Sequence, residues 1–504
     1  MKAIVTLLLL SIIFFSCEYD GDDPSYPGSF NESAYSDYAN GIGGLPANPD
    51  PAAGEQYNEY VENPFVNVAE SPVSTFSVDA DGGSYSNVRR FITDQMIPPA
   101  AAIRTEEFIN YFPLDYANPT GDTPIAINGE ISSCPWNSEN QLIRIGIKGK
   151  SVDRADFPTG NLVLLVDVSG SMSNPDKLPL LQESLRLFVE EMRPEDKIAL
   201  VTYAGSAGVA LDATAGTEKA KIIQAIASLS SGGSTAGAQG IITAYEIAEQ
   251  NFVEGGNNRV ILASDGDFNV GPSSQEELIE LIESKRDSGI FLTVLGMGTG
   301  NFNDAAMEQI ANHGNGNYEY IDRLEQGKKV FIYEYGKFLT IAKDVKIQVD
   351  FNQETVEAYR LIGYENRLLE EEDFTDDTKD AAEIGAGQTI TALYEIIPAQ
   401  KNSPVLRQEP IFTIDFRYKN ADENESEPLQ LAIFDKGNTF SQASENLRFA
   451  ASTAGFAMLL RDSKYKGTLD YQQLLGWSRQ AISFDPHGFR QEFITLVQQA
   501  STLQ

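Results

Sequence analysis

Asp167-Val168-Ser169-Gly170-Ser171 follows directly on the apolar run Leu162-Val163-Leu164-Leu165-Val166, so a D-x-S-x-S pentapeptide stands where a buried strand ends and a loop begins. An Asp and two Ser at alternate positions of a tight loop can turn three oxygens toward one point, and Gly170 lets the backbone bend without a Cβ clash. Oxygen ligands select a hard divalent cation. Held mainly by neutral hydroxyls, with carboxylates helping through water, such an ion stays electrophilic and can take a further anionic ligand from a partner. The pentapeptide therefore has the chemistry of a carboxylate receptor. The competing reading is that these Asp and Ser residues only cap turns and helices.

The elements that must position the pentapeptide alternate strand and helix from about residue 159 to 343, the pattern of a parallel sheet covered on both faces. Strands are expected at Leu162–Val166, Lys197–Tyr203, Arg259–Ala263, Ile290–Leu295 and Tyr318–Ile321. Helices are expected at Leu178–Met192, Glu218–Leu229, Ala238–Phe252, Ser274–Ser284 and Asp304–Ala311. In a doubly wound α/β domain ligands bind beyond the carboxyl ends of the strands at a topological switch point, where the pentapeptide falls.

Both flanks read as β-rich. Ser74–Val78, Ile125–Ile127 and Leu142–Ile147 precede the α/β segment, with a helix capped by Ser84 between the first two. Val345–Phe351, Thr355–Ile362, Thr389–Ile396 and Ile411–Tyr418 follow it, and the end is helical over about Glu445–Arg461 and Tyr471–Ala500, with Trp477 packing between helices. Asp79-Ala80-Asp81-Gly82 lacks the later positions of an EF-hand and reads as a strand-to-helix turn. The acidic run from Glu370 to Asp377 reads as a solvated loop. The expected boundaries are a signal peptide over 1–17, a disordered acidic tether over 18–62, an N-terminal flanking domain over 63–150, the α/β domain over 159–343, a C-terminal β-rich domain over 344–440 and helices over 441–504.

Charge narrows the partners. Lys plus Arg number 37 against 73 Asp plus Glu, and the net charge of -36 argues against nucleic acid or an anionic membrane surface. It also repels an acidic protein, so a carboxylate ligand must be held locally, in a field screened beyond about 8 Å at physiological salt. Met1-Lys2, an apolar stretch from Ala3 to Phe15 and Ser16-Cys17 form an export signal too short to span a bilayer comfortably. A small residue before Cys17 resembles a bacterial lipobox, which implies cleavage before Cys17 and lipid on it; an ordinary cleaved signal is the alternative. Glu18-Tyr19-Asp20-Gly21-Asp22-Asp23 resembles the acidic tag of surface-displayed lipoproteins. The tether after it has a reach of roughly 40 Å. Cys134 is the only other cysteine and reads as a buried small apolar residue.

With its pentapeptide, its Gly-rich Ser231-Gly232-Gly233-Ser234-Thr235-Ala236-Gly237 loop and its Ile261-Leu262-Ala263-Ser264-Asp265-Gly266-Asp267 strand end, the middle of the chain resembles the von Willebrand factor A domain. The resemblance implies a metal-ion-dependent adhesion site. Ser169, Ser171 and Thr235 would coordinate through hydroxyls, Asp167 and Asp265 would act through bound water, and a partner's acidic side chain would complete the octahedron. The cofactor implied is Mg2+, with Mn2+ or Ca2+ open. Asp267, two residues beyond Asp265, could approach the metal region, with a role in the turn as the preferred reading. Outside the A domain, Glu62-Asn63-Pro64-Phe65, Asn87-Val88-Arg89-Arg90-Phe91, Cys134-Pro135-Trp136-Asn137 and Tyr364-Glu365-Asn366-Arg367 resemble the flanks of bacterial A-domain lipoproteins of the YfbK-like group. By analogy with flanked A domains elsewhere, the two flanks are expected to pair into one sandwich.

Enzyme chemistry finds little support. His313 and His487 are the only histidines, neither beside a nucleophile, and Gly296-Met297-Gly298-Thr299-Gly300 lacks the Gly-Lys-Ser/Thr ending of a P-loop. The expectation is a lipid-anchored envelope protein, at the outer membrane, that binds a protein ligand through its metal. The alternative is an architectural envelope component in which the metal is only structural.

Overall fold

The computed structural model describes residues 52, 54–78, 81–233, 237–266, 275–377, 379, 381–399, 409–421, 423 and 425–503. The α/β domain is built on a six-stranded sheet ordered Tyr318–Ile321, Ile290–Met297, Asn257–Ser264, Gly160–Asp167, Lys197–Ala204, Ser206–Ala215. Five strands are parallel, and the last pairs antiparallel with Lys197–Ala204. That edge strand departs from the all-parallel expectation. Half of its residues are exposed and only two are buried, so no apolar alternation marks it, and the hairpin turns at Gly205, whose φ of 58° suits glycine.

Successive side chains of the central strand go to opposite faces. Leu162, Leu164 and Val166 join the core under Leu178–Glu190 and Lys219–Ala227, while Val163 and Leu165 join the core under Gly237–Gln250, Gln275–Asp287 and Asp304–His313. From Gly160–Asp167 the chain passes first to Lys197–Ala204 on one side and later to Asn257–Ser264 on the other. The strand order thus reverses around Asp167, the last residue of its strand.

The two flanks together form one sandwich. One sheet runs Val66–Asn67, Val356–Ile362, Thr389–Pro398, Gln141–Gly149, Ile125–Ser133; the other runs Leu368–Leu369, Val73–Ser77, Thr340–Phe351, Phe412–Asn420, Glu427–Ile433, with Ala382–Gly385 also on Thr340–Phe351. Each sheet takes strands from before and after the A domain, and Phe76, Ile143, Ile347 and Tyr394 share its core. The C-terminal helices pack on the flank helices Gly83–Thr93 and Thr105–Asn110 around Phe112, Trp136 and Phe493. The helix expected over Tyr471–Ala500 is two, Tyr471–Arg479 and Phe489–Ala500, because Pro486 and the left-handed Gly488 interrupt it. Trp477 meets Phe440 edge-on at 5.1 Å. Ser84 is not a cap: Gly82 holds that position, and the Ser84 hydroxyl donates to the Ala102 carbonyl. The tether expected to reach Glu62 is tied to the folded part before its end, Glu55 pairing with Arg90 at 2.9 Å and Glu62 accepting from Ser463.

Buried ion pairs join the flank helices to the A domain. Arg89 pairs with Asp322 at 2.6 Å and with Glu492 at 3.1 Å; Arg104 binds Glu107 and Asp304, all three nearly fully buried. Nearby, Glu106 accepts from the Tyr364 amide, and burial with the Glu365 carboxylate beside it pushes Glu106 up to about 7.

Removing Arg104 strands several carboxylates in a dry interface. Arg104→Met is expected to cost about 3–5 kcal/mol, read as a lower urea midpoint. Because Glu106 holds its proton more tightly folded than unfolded, its contribution to stability is present below its unfolded pKa and is lost as pH rises through about 7. Glu106→Gln should flatten that decline and be relatively more stable at alkaline pH, read from denaturation midpoints across the range.

Candidate metal centre

The first loop begins inside the protein and climbs to solvent. Asp167 is fully buried, Ser169 is buried, and Gly170 and Ser171 are exposed. Asp167 Oδ1 accepts from the Ser169 amide at 2.8 Å, a local turn that directs the following hydroxyls to one side. The Ser169 and Ser171 Oγ atoms stand 3.0 Å apart. Two hydroxyls at that separation can face a common ion.

The second loop is laced to the first. Gly232 N donates to Val168 O at 2.7 Å, and Gly170 N donates to Gly233 O at 3.2 Å. Both glycines are exposed and Gly233 has φ 91°, so the chain reverses there over the Ser171 side. Thr235, assigned the third hydroxyl, follows two residues later and lies outside the described residues, as do Asp267 and Cys17.

The third loop is tied in through Ser264, whose Oγ donates to Asp167 Oδ2 at 3.1 Å and accepts from Gly266 N at 3.2 Å. Gly266 has φ 97°, and the space a side chain would take is filled by the Asn303 backbone. Asp265 is fully buried. Its Oδ2 accepts from Lys177 Nζ at 2.8 Å, while its Oδ1 is buried with no hydrogen-bond partner among the described residues. Burial, with Asp265 adding its charge, holds Asp167 above the usual carboxylate range against the hydrogen bonds from Ser169 and Ser264. Two buried carboxylates, one with a free oxygen, and two hydroxyls at the mouth make a donor set that suits a hard cation. Among the described residues no group of three or more His, Cys, Asp or Glu is arranged to hold a metal ion.

Ser264 and Lys177 are the site residues that sequence reasoning missed. Ser264 is adjacent to Asp265, and only the fold reveals its bond to Asp167. Lys177 precedes the helix Leu178–Glu190 and is 2% exposed; its Nζ also donates to Asn301 at 3.0 Å. The histidines stay away from the centre: His313 ends its helix and meets Glu283 at 2.8 Å, and His487 stacks on Tyr333 at 3.9 Å. A cavity of ≈ 370 Å³ is lined by Phe157, Tyr333, Tyr335 and His487, among others, and by none of the residues of the three loops.

Three family models match the chain: "von Willebrand factor" over residues 51–144, "von Willebrand factor type A domain" over 161–330, and "Uncharacterized protein YfbK, C-terminal" over 336–503. The uncharacterized protein YfbK of Escherichia coli (strain K12) is 42% identical over 476 residues, covering 90% of this chain and 82% of that one. The chain belongs to the YfbK family. Among solved structures, a von Willebrand factor type A protein from Catenulispora acidiphila aligns over 75% of this chain and 91% of its own, at 12% identity and TM-score 0.43. The conserved hypothetical protein BatB from Bacteroides thetaiotaomicron aligns over 36% and 98%, at 21% identity and TM-score 0.31. The YfbK flanks expected from sequence motifs therefore accompany a von Willebrand factor A domain. Among the described residues, no helix is long and apolar enough to cross a membrane.

Ser264→Ala would leave Asp167 Oδ2 and Gly266 N without their shared partner. A loss of about 1–3 kcal/mol is expected, measured by urea denaturation in metal-free buffer. An unchanged midpoint would show that Ser264 does not hold the third loop to the first.

Proposed function

We propose that this YfbK-family chain is a lipid-anchored envelope protein whose A domain holds a divalent cation and uses it to bind an acidic side chain of a protein partner. The observation that carries the reading is the lacing of the three loops: Asp167 bonded to Ser169 and Ser264, and Val168 and Gly170 bonded to the Gly232-Gly233 turn. In this reading Ser169, Ser171 and Thr235 hold the ion through their hydroxyls, with Asp167 and Asp265 orienting water. The bound ion supplies a Lewis-acidic position for a carboxylate. The chain's residues do the selecting. Ser171, Gly232 and Gly233 are exposed, which gives a partner access, and the buried carboxylates carry the charge that retains a cation in a dry setting. The cation is Mg2+, with Mn2+ or Ca2+ as the other oxygen-seeking candidates. Cys17 carries the lipid, and the outer membrane is the proposed location. The role proposed is binding rather than catalysis: among the described residues the centre brings together Asp167, Ser169, Ser171, Ser264, Asp265 and Lys177, with neither histidine near them.

A second reading has its own support. The buried ion pairs of Arg89 and Arg104 weld the flanks to the A domain, as suits an architectural component in which the metal only stabilises loops. Capture of partners from envelope extract separates the two. Partner binding lost with EDTA, and reduced at least about tenfold by Asp167→Ala or Thr235→Ala, supports the receptor; capture unchanged by either treatment supports the architectural role. Retention of detergent-phase partitioning by Cys17→Ala would overturn the lipid anchor.

A further inference from the structure

Lys177 is an unexpected neighbour for a cation site. Its side chain is 3% exposed and its Nζ lies 2.8 Å from Asp265 Oδ2. It is not a surface lysine that has folded in by chance. The aliphatic stem runs through space that Gly298, at φ 74°, leaves by having no side chain, and Asn301 fixes the ammonium from the far side at 3.0 Å. An ammonium has three donors and no lone pair, so it cannot serve as a ligand. Its action on a nearby ion is electrostatic.

We propose that Lys177 is a built-in counter-cation of the candidate centre, which weakens the hold on a divalent ion and keeps the site cationic once the ion is bound. This inference rests on the metal reading above and deepens it. Asp167 and Asp265 bring two negative charges into the interior; Lys177 reduces the sum to one. A divalent ion then leaves the centre with one net positive charge instead of none, so an anionic side chain is drawn in. That local charge matters in a chain whose net charge of -36 repels acidic partners. Lys177 also engages only one oxygen of Asp265 and leaves Oδ1 without a hydrogen-bond partner among the described residues. The carboxylate is thus steadied in the absence of an ion, with one oxygen kept for water or cation.

The test is titration calorimetry of the full chain with MnCl2, and separately MgCl2, alongside thermal melts with and without Mn2+. Lys177→Met keeps the stem and removes the charge; Lys177→Arg keeps the charge. Lys177→Met is expected to bind Mn2+ about tenfold more tightly or better, with a larger rise in Tm on adding Mn2+. Lys177→Arg should stay close to the parent. A folded Lys177→Met with equal or weaker Mn2+ affinity overturns the counter-cation role while leaving the metal reading intact. If none of the three proteins binds Mn2+ or Mg2+, the metal reading falls and this inference falls with it. Should Lys177→Met fail to fold in metal-free buffer, rescue by Mn2+ supports the role and failure of rescue overturns it.

Discussion

A carboxylate taken out of water must be answered by donors or cations, and Asp167 is the place where this protein meets that demand. The residue ends the central strand with no exposed surface. Each of its oxygens then recruits a different piece of chain, the Ser169 amide for one and the Ser264 hydroxyl for the other. Burial of one charge therefore fixes the first loop's turn and the third loop's approach together.

The same logic recurs at larger scale between the flanks and the A domain. Arg89 and Arg104 come from flank segments, Asp322 and Asp304 from the A domain, and all are nearly withdrawn from solvent. Such pairs contribute modest net stability because desolvation offsets their attraction, but leaving one member alone is expensive. Their effect is to make one docking geometry much better than its neighbours. An apolar interface of similar area would tolerate sliding; forked guanidinium contacts do not.

Legibility in the sequence followed how local each cause was. The pentapeptide and the strand before it could be read because five contiguous apolar residues run straight into three oxygen-bearing ones at alternate positions, and the alternation of strand and helix announced the parallel sheet. The Ser206–Ala215 edge strand was hidden since half of its residues are exposed, with no apolar alternation, and its partner supplies the register. Lys177 was hidden for another reason: its partner Asp265 lies 88 residues away, and nothing near either residue distinguishes a buried lysine from a helix-start lysine on the surface. The two flanks read as separate β segments, and the mixing of their strands in both sheets depends on long-range pairing such as Gln141–Gly149 with Thr389–Pro398. The resemblance to flanked A domains supplied that expectation where periodicity could not.

One loop connects these layers. Residues 298–303 hold Lys177 through Asn301 and abut Gly266 through Asn303, so they back the third loop of the candidate centre. On their other side Gly300 N donates to Glu55, Gln56 N donates to Phe302 O, and Asp304 N donates to Gln56 O. Glu55 in turn holds Arg90 of the flank helix. The ammonium facing Asp265 is therefore positioned by a loop whose outer edge is clamped by the N-terminal segment and a flank helix. The support behind Lys177 therefore reaches from residues 298–303 to Glu55 and Gln56 and, through Glu55, to Arg90.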